Sequence, residues 1–324
     1  GGDLAGQILG RFVDQIKAES ISAYELNELN RMLSARGDSL ASIADKTRAK
    51  IGSIADREFS RLAEQRTADL DDPVRITATI RLLSNVSGDR FSKRRDALLN
   101  WIDSKQPPEV QRAAIMTIDE RTETQSVQVL LRRLNELSPT IRTAILDQLL
   151  QRDRHCVTLL AAIDQNAIDS RLISPSHRQI LLLHNNANIK SDATRLFRAM
   201  QSEDKAKLIE SYRSVDLDPD FELGRQVFAK RCATCHQVDQ TGHPVGPDLA
   251  SLTNRSSDAL LVAILDPNRA VEDKYRSFQV LTKDGRTKTG IISGETSNSM
   301  TLVAADGKQT VVLRRDIERV VDSG

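Results

Sequence analysis

The chain of 324 residues has few aromatic side chains, few cysteines and almost no net charge. Aromatic residues make up 3% of it, there are three cysteines, and the formal net charge is +1. Such balance provides no polybasic surface of the kind that indicates a nucleic acid or an anionic membrane as partner. No apolar run approaches the ~20 residues that a membrane-spanning helix needs. The shortage of aromatics, with abundant Leu, Ile, Ala, Arg and Asp, favours stacked helices over a β-sandwich.

The chain begins Gly1-Gly2-Asp3-Leu4, with neither an initiator methionine nor a signal peptide, and an amphipathic helical pattern starts almost at once. We therefore expect a piece of a longer protein. On that expectation, the missing leader says nothing about the compartment in which the protein works.

Two of the three cysteines lie in the pentapeptide Cys232-Ala233-Thr234-Cys235-His236. C-x-x-C-H is the attachment sequence of a covalently bound c-type heme. The two thiols add to the two vinyl groups of the porphyrin, and the adjacent histidine becomes the proximal iron ligand. We therefore predict heme c bound through Cys232 and Cys235, with His236 on the iron. Because bacteria attach heme covalently outside the cytoplasmic membrane, we also expect a periplasmic or exported location.

Two other interpretations of the pentapeptide are weaker. A zinc ribbon or knuckle needs a second Cys/His pair at ligand spacing, and the only candidates are His243, which is close, and Cys156, which is distant. A thioredoxin-like dithiol needs a preceding strand in a βαβ frame. Residues 222–231 instead predict one amphipathic helix that runs into the motif. For Cys156 we expect the role of a small buried apolar residue.

Residues 1–216 predict one helix after another, joined by short polar turns. Four helix starts share a proline at or near the first helical position, which is a common N-terminal signal; they are Asp72-Pro73, Pro107-Pro108, Ser138-Pro139 and Ser174-Pro175. The copies recur about every 31 to 36 residues, which is the period of helix-pair solenoids. This region resembles HEAT-type repeats. Such an α-solenoid presents a surface for a protein partner, or serves as a rigid spacer, and the sequence leaves both open.

Residues 217–324 carry several further motifs in a fixed order around the pentapeptide. From about Phe221 to Arg319 they are Gly224-Arg225-Gln226-Val227-Phe228, Cys232 to His236, Gly246-Pro247-Asp248-Leu249, Leu265-Asp266-Pro267-Asn268, Tyr275, and Asp284-Gly285 with Thr289-Gly290. This order resembles the cytochrome c-type heme-binding domain of large exported proteins of planctomycete and verrucomicrobial type. Such proteins often join the domain to helical repeats and to an N-terminal propeller that resembles sugar dehydrogenases.

The resemblance and the local pattern together nominate further heme-contacting residues. By resemblance, the carbonyl of Pro247 accepts the Nδ1 proton of His236, which orients the ring and raises its basicity as a ligand. Phe228 lies one helical turn before the motif, where it can cover the porphyrin edge. Leu249 and Leu252 are expected to line the heme face, beside an apolar helix at residues 260–265.

Residues 277–314 depart from a small cytochrome because they read as short β-type runs. The pairs Asp284-Gly285 and Asp306-Gly307 supply turns between them. A small antiparallel β meander inserted in the heme domain is therefore predicted, as in the family resembled. The expected fold is mainly α: a HEAT-like solenoid at 1–216, followed by the heme domain at 217–324, which we expect to be truncated at its C-terminus.

The sixth iron ligand has several candidates. Electron-transfer cytochromes usually carry Met or His opposite the proximal histidine. Met300 is the only methionine after the motif, but it lies in a predicted strand, where a core role competes. The resemblance places the axial methionine after the meander, beyond Gly324. His243 and an open site are the remaining alternatives.

The function that these residues predict is an electron-transfer module with no catalytic residues of its own. It would serve a fused or partner dehydrogenase, whose activity would lie in an upstream domain. An interaction scaffold with accessory heme, and a heme enzyme or sensor with an open distal site, are the alternatives.

Overall fold

The computed structural model describes residues 4–16, 21–35, 44–64, 72–84, 95–119, 124–199, 203–213, 215, 218–266 and 272–323. The described chain is mainly helical, with some antiparallel strands, as predicted. It divides into two compact units, Gly1–Ser126 and Val127–Gly324. None of the helices described is long and apolar enough to cross a membrane.

Fourteen α-helices lie in the described residues. In chain order they are α1 (Leu4–Gln15), α2 (Ala23–Ala35), α3 (Asp45–Glu64), α4 (Pro73–Ser84), α5 (Arg95–Asn100), α6 (Pro108–Asp119), α7 (Thr124–Arg132), α8 (Pro139–Leu149), α9 (Asp153–Asp164), α10 (Pro175–Leu182), α11 (Ala187–Ala199), α12 (Glu203–Arg213), α13 (Phe221–Arg231) and α14 (Ser257–Leu265). Short 3-10 helices occur at Leu134–Glu136, Ser170–Leu172, Leu249–Ser251, Asp273–Tyr275 and Arg314–Asp316.

The four proline start signals are confirmed, because α4, α6, α8 and α10 each begin at the proline expected. Proline is tolerated there since the first backbone N–H groups of a helix have no intrahelical partner. At α10 the N-cap residue also makes a side-chain bond: the Ser174 hydroxyl accepts a hydrogen bond from the backbone N–H of His177. The HEAT-like arrangement of these helices stays a prediction.

The first unit encloses its own apolar core. Helix α4 packs against α2, α3 and α6. Leu26, Ile54 and Ile80 are fully buried between these helices. Glu58 is also buried and is paired with Arg75 at 2.7 Å, so its charge has a partner.

The second unit contains both sheets. The strands are β1 (Gln237–Val238), β2 (Thr241–Gly242), β3 (Ser277–Thr282), β4 (Thr287–Glu295), β5 (Ser299–Val303), β6 (Gln309–Leu313) and β7 (Ile317–Asp322). Strands β1 and β2 form a two-stranded hairpin. The other five form one antiparallel sheet in the order β6-β5-β4-β3-β7.

The larger sheet extends the predicted meander by one strand. Turns with Gly285 and Gly307 at positive φ connect β3 to β4 and β5 to β6, as the Asp-Gly pairs indicate. Strand β7, which the sequence analysis did not predict, returns to pair with β3 in the register Val280↔Val320. One face of the sheet buries an apolar core; its members are Phe278, Val280, Ile292, Met300, Leu302, Val312, Ile317 and Val320.

A buried ion-pair network attaches this sheet to the helices of the same unit. Arg142 of α8 is fully buried, and its Nη1 lies 2.8 Å from Oδ2 of Asp322 in β7. Arg276 donates to both carboxylate oxygens of Asp322, at 2.7 and 3.0 Å. Asp273 lies 3.5 Å from Arg142, and Arg142 also stacks over the Phe278 ring at 5.5 Å. Charges held in this way are costly to separate, because each would be left buried without its partner.

The predicted division of the chain at 216/217 falls on residues outside those described, so it stays a prediction. Residues 267–268 of the Leu265–Asn268 motif also lie outside the described chain.

Candidate functional site

Helix α13 delivers the first cysteine of the pentapeptide. The helix starts at a cap in which the Asp220 carboxylate accepts from the backbone N–H of Leu223 at 2.8 Å. It ends where the N–H groups of Cys232 and Ala233 both donate to the carbonyl of Phe228, at 2.8 and 2.9 Å. The helix predicted at 222–231 is therefore confirmed, and it places Cys232 at its C-terminal cap.

The motif itself is one tight helical turn. The N–H groups of Cys235 and His236 both donate to the carbonyl of Cys232, at 3.0 and 2.8 Å. Residues three apart on such a turn lie on one side of it, so the two cysteines share a face. Both are free thiols and are partly exposed, which leaves their sulfur atoms accessible to a substituent on a bound ring.

A second loop is fastened along the motif by backbone hydrogen bonds. His243 donates to the carbonyl of Ala233 at 3.0 Å, and Val245 and Gly246 donate to the carbonyl of Cys235 at 3.1 and 2.5 Å. The Val245 side chain is buried. These bonds fix the position of the following residue, Pro247.

The imidazole of His236 is oriented by that loop. Its Nδ1 lies 2.9 Å from the carbonyl oxygen of Pro247. A carbonyl oxygen only accepts, so Nδ1 carries the proton and donates it. The neutral tautomer with this proton has its lone pair on Nε2, the nitrogen that can bind a metal. The contact has the geometry that the resemblance implies; the role of Pro247 toward a bound heme stays a prediction.

Two glycines allow the loop to approach this closely. A Cβ on Gly246 would stand 2.8 Å from Cε1 and 2.9 Å from Nδ1 of the His236 ring. A Cβ on Gly242 would collide with the carbonyl oxygen of His236, and Gly242 also has φ of +100°. Side chains at these two positions would displace the histidine, so the path of the loop depends on glycine at both.

The β1–β2 hairpin connects the motif to that loop through a strained turn. Its two turn residues, Asp239 and Gln240, have φ of 51° and 84°. Positive φ at both positions is the geometry of a type I′ turn, which is usually made with Asn-Gly or Asp-Gly. The hairpin was not foreseen, because the segment has no glycine at the turn.

Apolar side chains lie on α13, on α14 and at the 3-10 helix Leu249–Ser251. Phe228, Leu249 and Leu252 are each half-buried. Phe221 and Ile264, on α13 and α14, are 86% and 73% exposed. Apolar surface is therefore exposed on both helices.

Two of the alternatives for the sixth ligand, Met300 and His243, lie in the described residues. Met300 is fully buried in the core of the larger sheet, among Phe278, Leu302 and Val312. His243 is exposed and belongs to the same loop as Pro247, which contacts His236 through Nδ1 rather than through the metal-binding Nε2. Met300 thus has the surroundings of a core residue, and the identity of the sixth ligand stays a prediction.

The donor set fits heme c. Two free thiols lie three residues apart on one turn, and the next residue is a histidine whose Nδ1 is bonded to Pro247, which leaves Nε2 for a metal. In the part of the chain that the structure describes, no group of three or more His, Cys, Asp or Glu side chains could hold a metal ion.

Comparison with known families agrees with this chemistry. The family model of cytochrome c matches residues 221–294. The match begins at the first residue of α13, includes the pentapeptide and the loop to Pro247, and ends in β4. The chain therefore contains a cytochrome c-type domain, and the cofactor of that domain is covalently bound heme c.

Proposed function

We propose that the chain is an electron-transfer module in which Cys232 and Cys235 would hold a covalent heme c and His236 would ligate its iron. The observation that carries this proposal is the 2.9 Å contact between Nδ1 of His236 and the carbonyl of Pro247. It fixes the tautomer and the orientation that a proximal ligand requires. When bound, the heme supplies the one-electron chemistry.

The surrounding residues have separate tasks in this proposal. Cys232 and Cys235 hold the macrocycle through thioether bonds. Phe228, Leu249 and Leu252 cover it with apolar surface and limit the access of water. Axial ligation, the hydrogen bond to the ligating histidine and the degree of burial are the protein's means of tuning the reduction potential.

We further propose the setting in which the module works. The cytochrome c-type domain favours an exported or periplasmic location, since that is where bacteria attach heme c. The ordered motifs support a domain of planctomycete or verrucomicrobial type, and the proline-started helices support HEAT-like repeats before it. A fused or partner dehydrogenase would donate the electrons, and the helical repeats would hold a protein partner.

A redox titration tests the proposal. The chain is expressed with a c-type heme maturation system, and its visible spectrum is recorded as the potential is stepped in both directions. We expect one reversible one-electron transition. Turnover of peroxide without a reversible one-electron transition would contradict an electron-transfer role and would favour the heme enzyme.

A further inference from the structure

Helix α12 packs against α14 and is joined to it by an ion pair at each end. Arg213, the last residue of α12, has its Nε 2.6 Å from Oδ1 of Asp258 in the first turn of α14. Lys205, near the start of α12, has its Nζ 2.9 Å from Oδ1 of Asp266, the C-cap of α14. The end of each helix is thus paired with the start of the other, so the two run antiparallel.

The two helices match in spacing. Lys205 and Arg213 are eight residues apart, and so are Asp258 and Asp266. Eight residues correspond to about 12 Å along a helix and bring positions i, i+4 and i+8 onto one side. On α12 the middle position is Ile209, which is only 5% exposed. One side of α12 therefore carries two basic residues with an isoleucine between them, and α14 carries the two matching acidic residues, Asp258 and Asp266.

The ion pairs set alignment more than they add stability. The side chains of Arg213 and Asp258 are 45% and 58% exposed, and pairs so exposed contribute little free energy. Asp266 is different, because its side chain is only 11% exposed. Two pairs at matched spacing, with a buried isoleucine between them, fix the rotation and the register of α14.

That alignment determines which side of α14 is left free. At 3.6 residues per turn, Leu260 and Ile264 each lie about 160° around the helix axis from Val262, the midpoint of the side toward α12. Ile264 is 73% exposed. The side of α14 opposite α12 is thus apolar and open.

We propose that α12 is a positioning element of the heme domain. It packs on the Val262 side of α14, so that Leu260 and Ile264 on the opposite side face the heme. This inference rests on the proposed function. Helix α12 precedes residues 221–294, the segment that matches the cytochrome c family, so it is an addition to the matched domain. Lys205, Ile209 and Arg213 act through α14 and are positioning residues.

The reduction potential reports this role. If α14 loosens, water reaches the heme more easily and stabilises the more highly charged ferric form, which lowers the midpoint potential. The test variant is the double substitution Lys205→Glu and Arg213→Glu in the full chain. The rescue variant adds Asp258→Arg and Asp266→Lys, which restores both pairs with opposite polarity. The control is Arg195→Glu, which breaks a helix–helix pair of similar exposure between α11 and α9, Arg195 with Asp164 at 2.7 Å.

We expect the double variant to fold, to retain covalent heme and to have a lowered midpoint potential, which the rescue variant restores and the control leaves unchanged. A folded double variant with the wild-type potential would overturn the proposal.

Hydrogen exchange gives a second readout that does not depend on heme. The amides of α14 should exchange severalfold faster in the double variant than in the wild type, whereas the control should show no change. Unchanged exchange in the double variant would show that the two ion pairs do not hold α14 in place. A wild-type protein without covalent heme would overturn the proposed function and the heme-facing role of α14. If that protein and its double variant still showed the expected difference in exchange, the positioning of α14 by α12 would stand.

Discussion

The Nδ1 atom of His236 donates a hydrogen bond to the carbonyl oxygen of Pro247, 2.9 Å away. The bond is possible because the backbone of residues 243–246 is fastened to the motif by three hydrogen bonds. The ligand geometry is therefore set by backbone groups. Substitutions that move this backbone should alter the ligand even when they leave His236 itself unchanged.

Gly246 provides the sharpest test of that dependence. In Gly246→Ala the added Cβ would stand 2.8–2.9 Å from the imidazole, so the ring or the loop must shift. A lengthened bond to Pro247 makes the ligand less basic, which stabilises ferric iron less. We therefore expect a raised midpoint potential, measured by redox titration. Gly294→Ala is the control, because its Cβ meets nothing within 4 Å; equal potentials in both variants would contradict this account.

Met300 should behave as a core residue. It is fully buried in the larger sheet. Met300→Leu conserves volume and should cost less than about 1.5 kcal/mol, whereas Met300→Ala should cost about 2–5 kcal/mol through the cavity that it leaves. Both variants should keep the wild-type reduced spectrum. Loss of a low-spin spectrum in Met300→Leu would show instead that its sulfur ligates the iron.

Two ion pairs join the larger sheet to the same helical region, but they differ in burial. Arg142 and Asp322 are 0% and 2% exposed, whereas Arg319 and Glu136 are 57% and 44% exposed. Arg142→Ala removes one of the two arginines paired with Asp322 and the arginine that lies 3.5 Å from Asp273, so it should lower the free energy of unfolding by about 3–5 kcal/mol. Arg319→Ala should lower it by no more than about 1 kcal/mol. Denaturant titration measures both, and similar losses would contradict the importance assigned to burial.

Asp273 should make stability depend on pH. Burial raises the pKa of this carboxyl above its ordinary value, although Arg142 and Arg276 act in the opposite direction. The folded state then binds the proton more tightly than the unfolded chain, so a fall in pH favours folding at this site.

Comparison with Asp273→Asn isolates that contribution. As the pH falls from 7 toward the ordinary carboxyl pKa of about 3.9, the wild type should gain stability relative to the variant. Denaturant titrations over this pH range measure the difference. A difference that is constant, or that changes in the opposite direction, would contradict the raised pKa.

What the sequence could predict depended on local signals. A capping residue followed by proline identifies a helix start without reference to the rest of the chain, and Pro139 and Pro175 begin helices as expected. Strands β3 to β6 could also be predicted, because runs rich in β-branched residues alternate with Asp-Gly turns. Gly285 and Gly307 do adopt positive φ in those turns. The pentapeptide predicted two thiols and an imidazole because heme attachment requires two cysteines at this spacing with a histidine next to the second.

The features that were missed depend on distant partners. Strand β7 reads Ile-Glu-Arg-Val-Val-Asp, without clean alternation, and is fixed by its pairing with β3. Arg142 and Asp322 belong to elements far apart in the chain, and nothing local indicates that they meet. The close approach of Gly246 to His236 likewise depends on the whole path of the loop.

Cys156 provides a matched control for the central claim. It is fully buried, and burial raises the pKa of its thiol to about 11, so it is a poor nucleophile. Cys232 and Cys235 are partly exposed, so substitution of these cysteines and of Cys156 should affect heme attachment differently.

The most direct measurement is the intact mass of the chain after expression with a c-type heme maturation system, together with heme staining on a denaturing gel. The wild type and Cys156→Ser should each carry the mass of one heme and should stain. The double variant Cys232→Ser with Cys235→Ser should carry no added mass and should not stain. A wild-type chain without covalent heme, or a double variant that keeps it, would contradict the account.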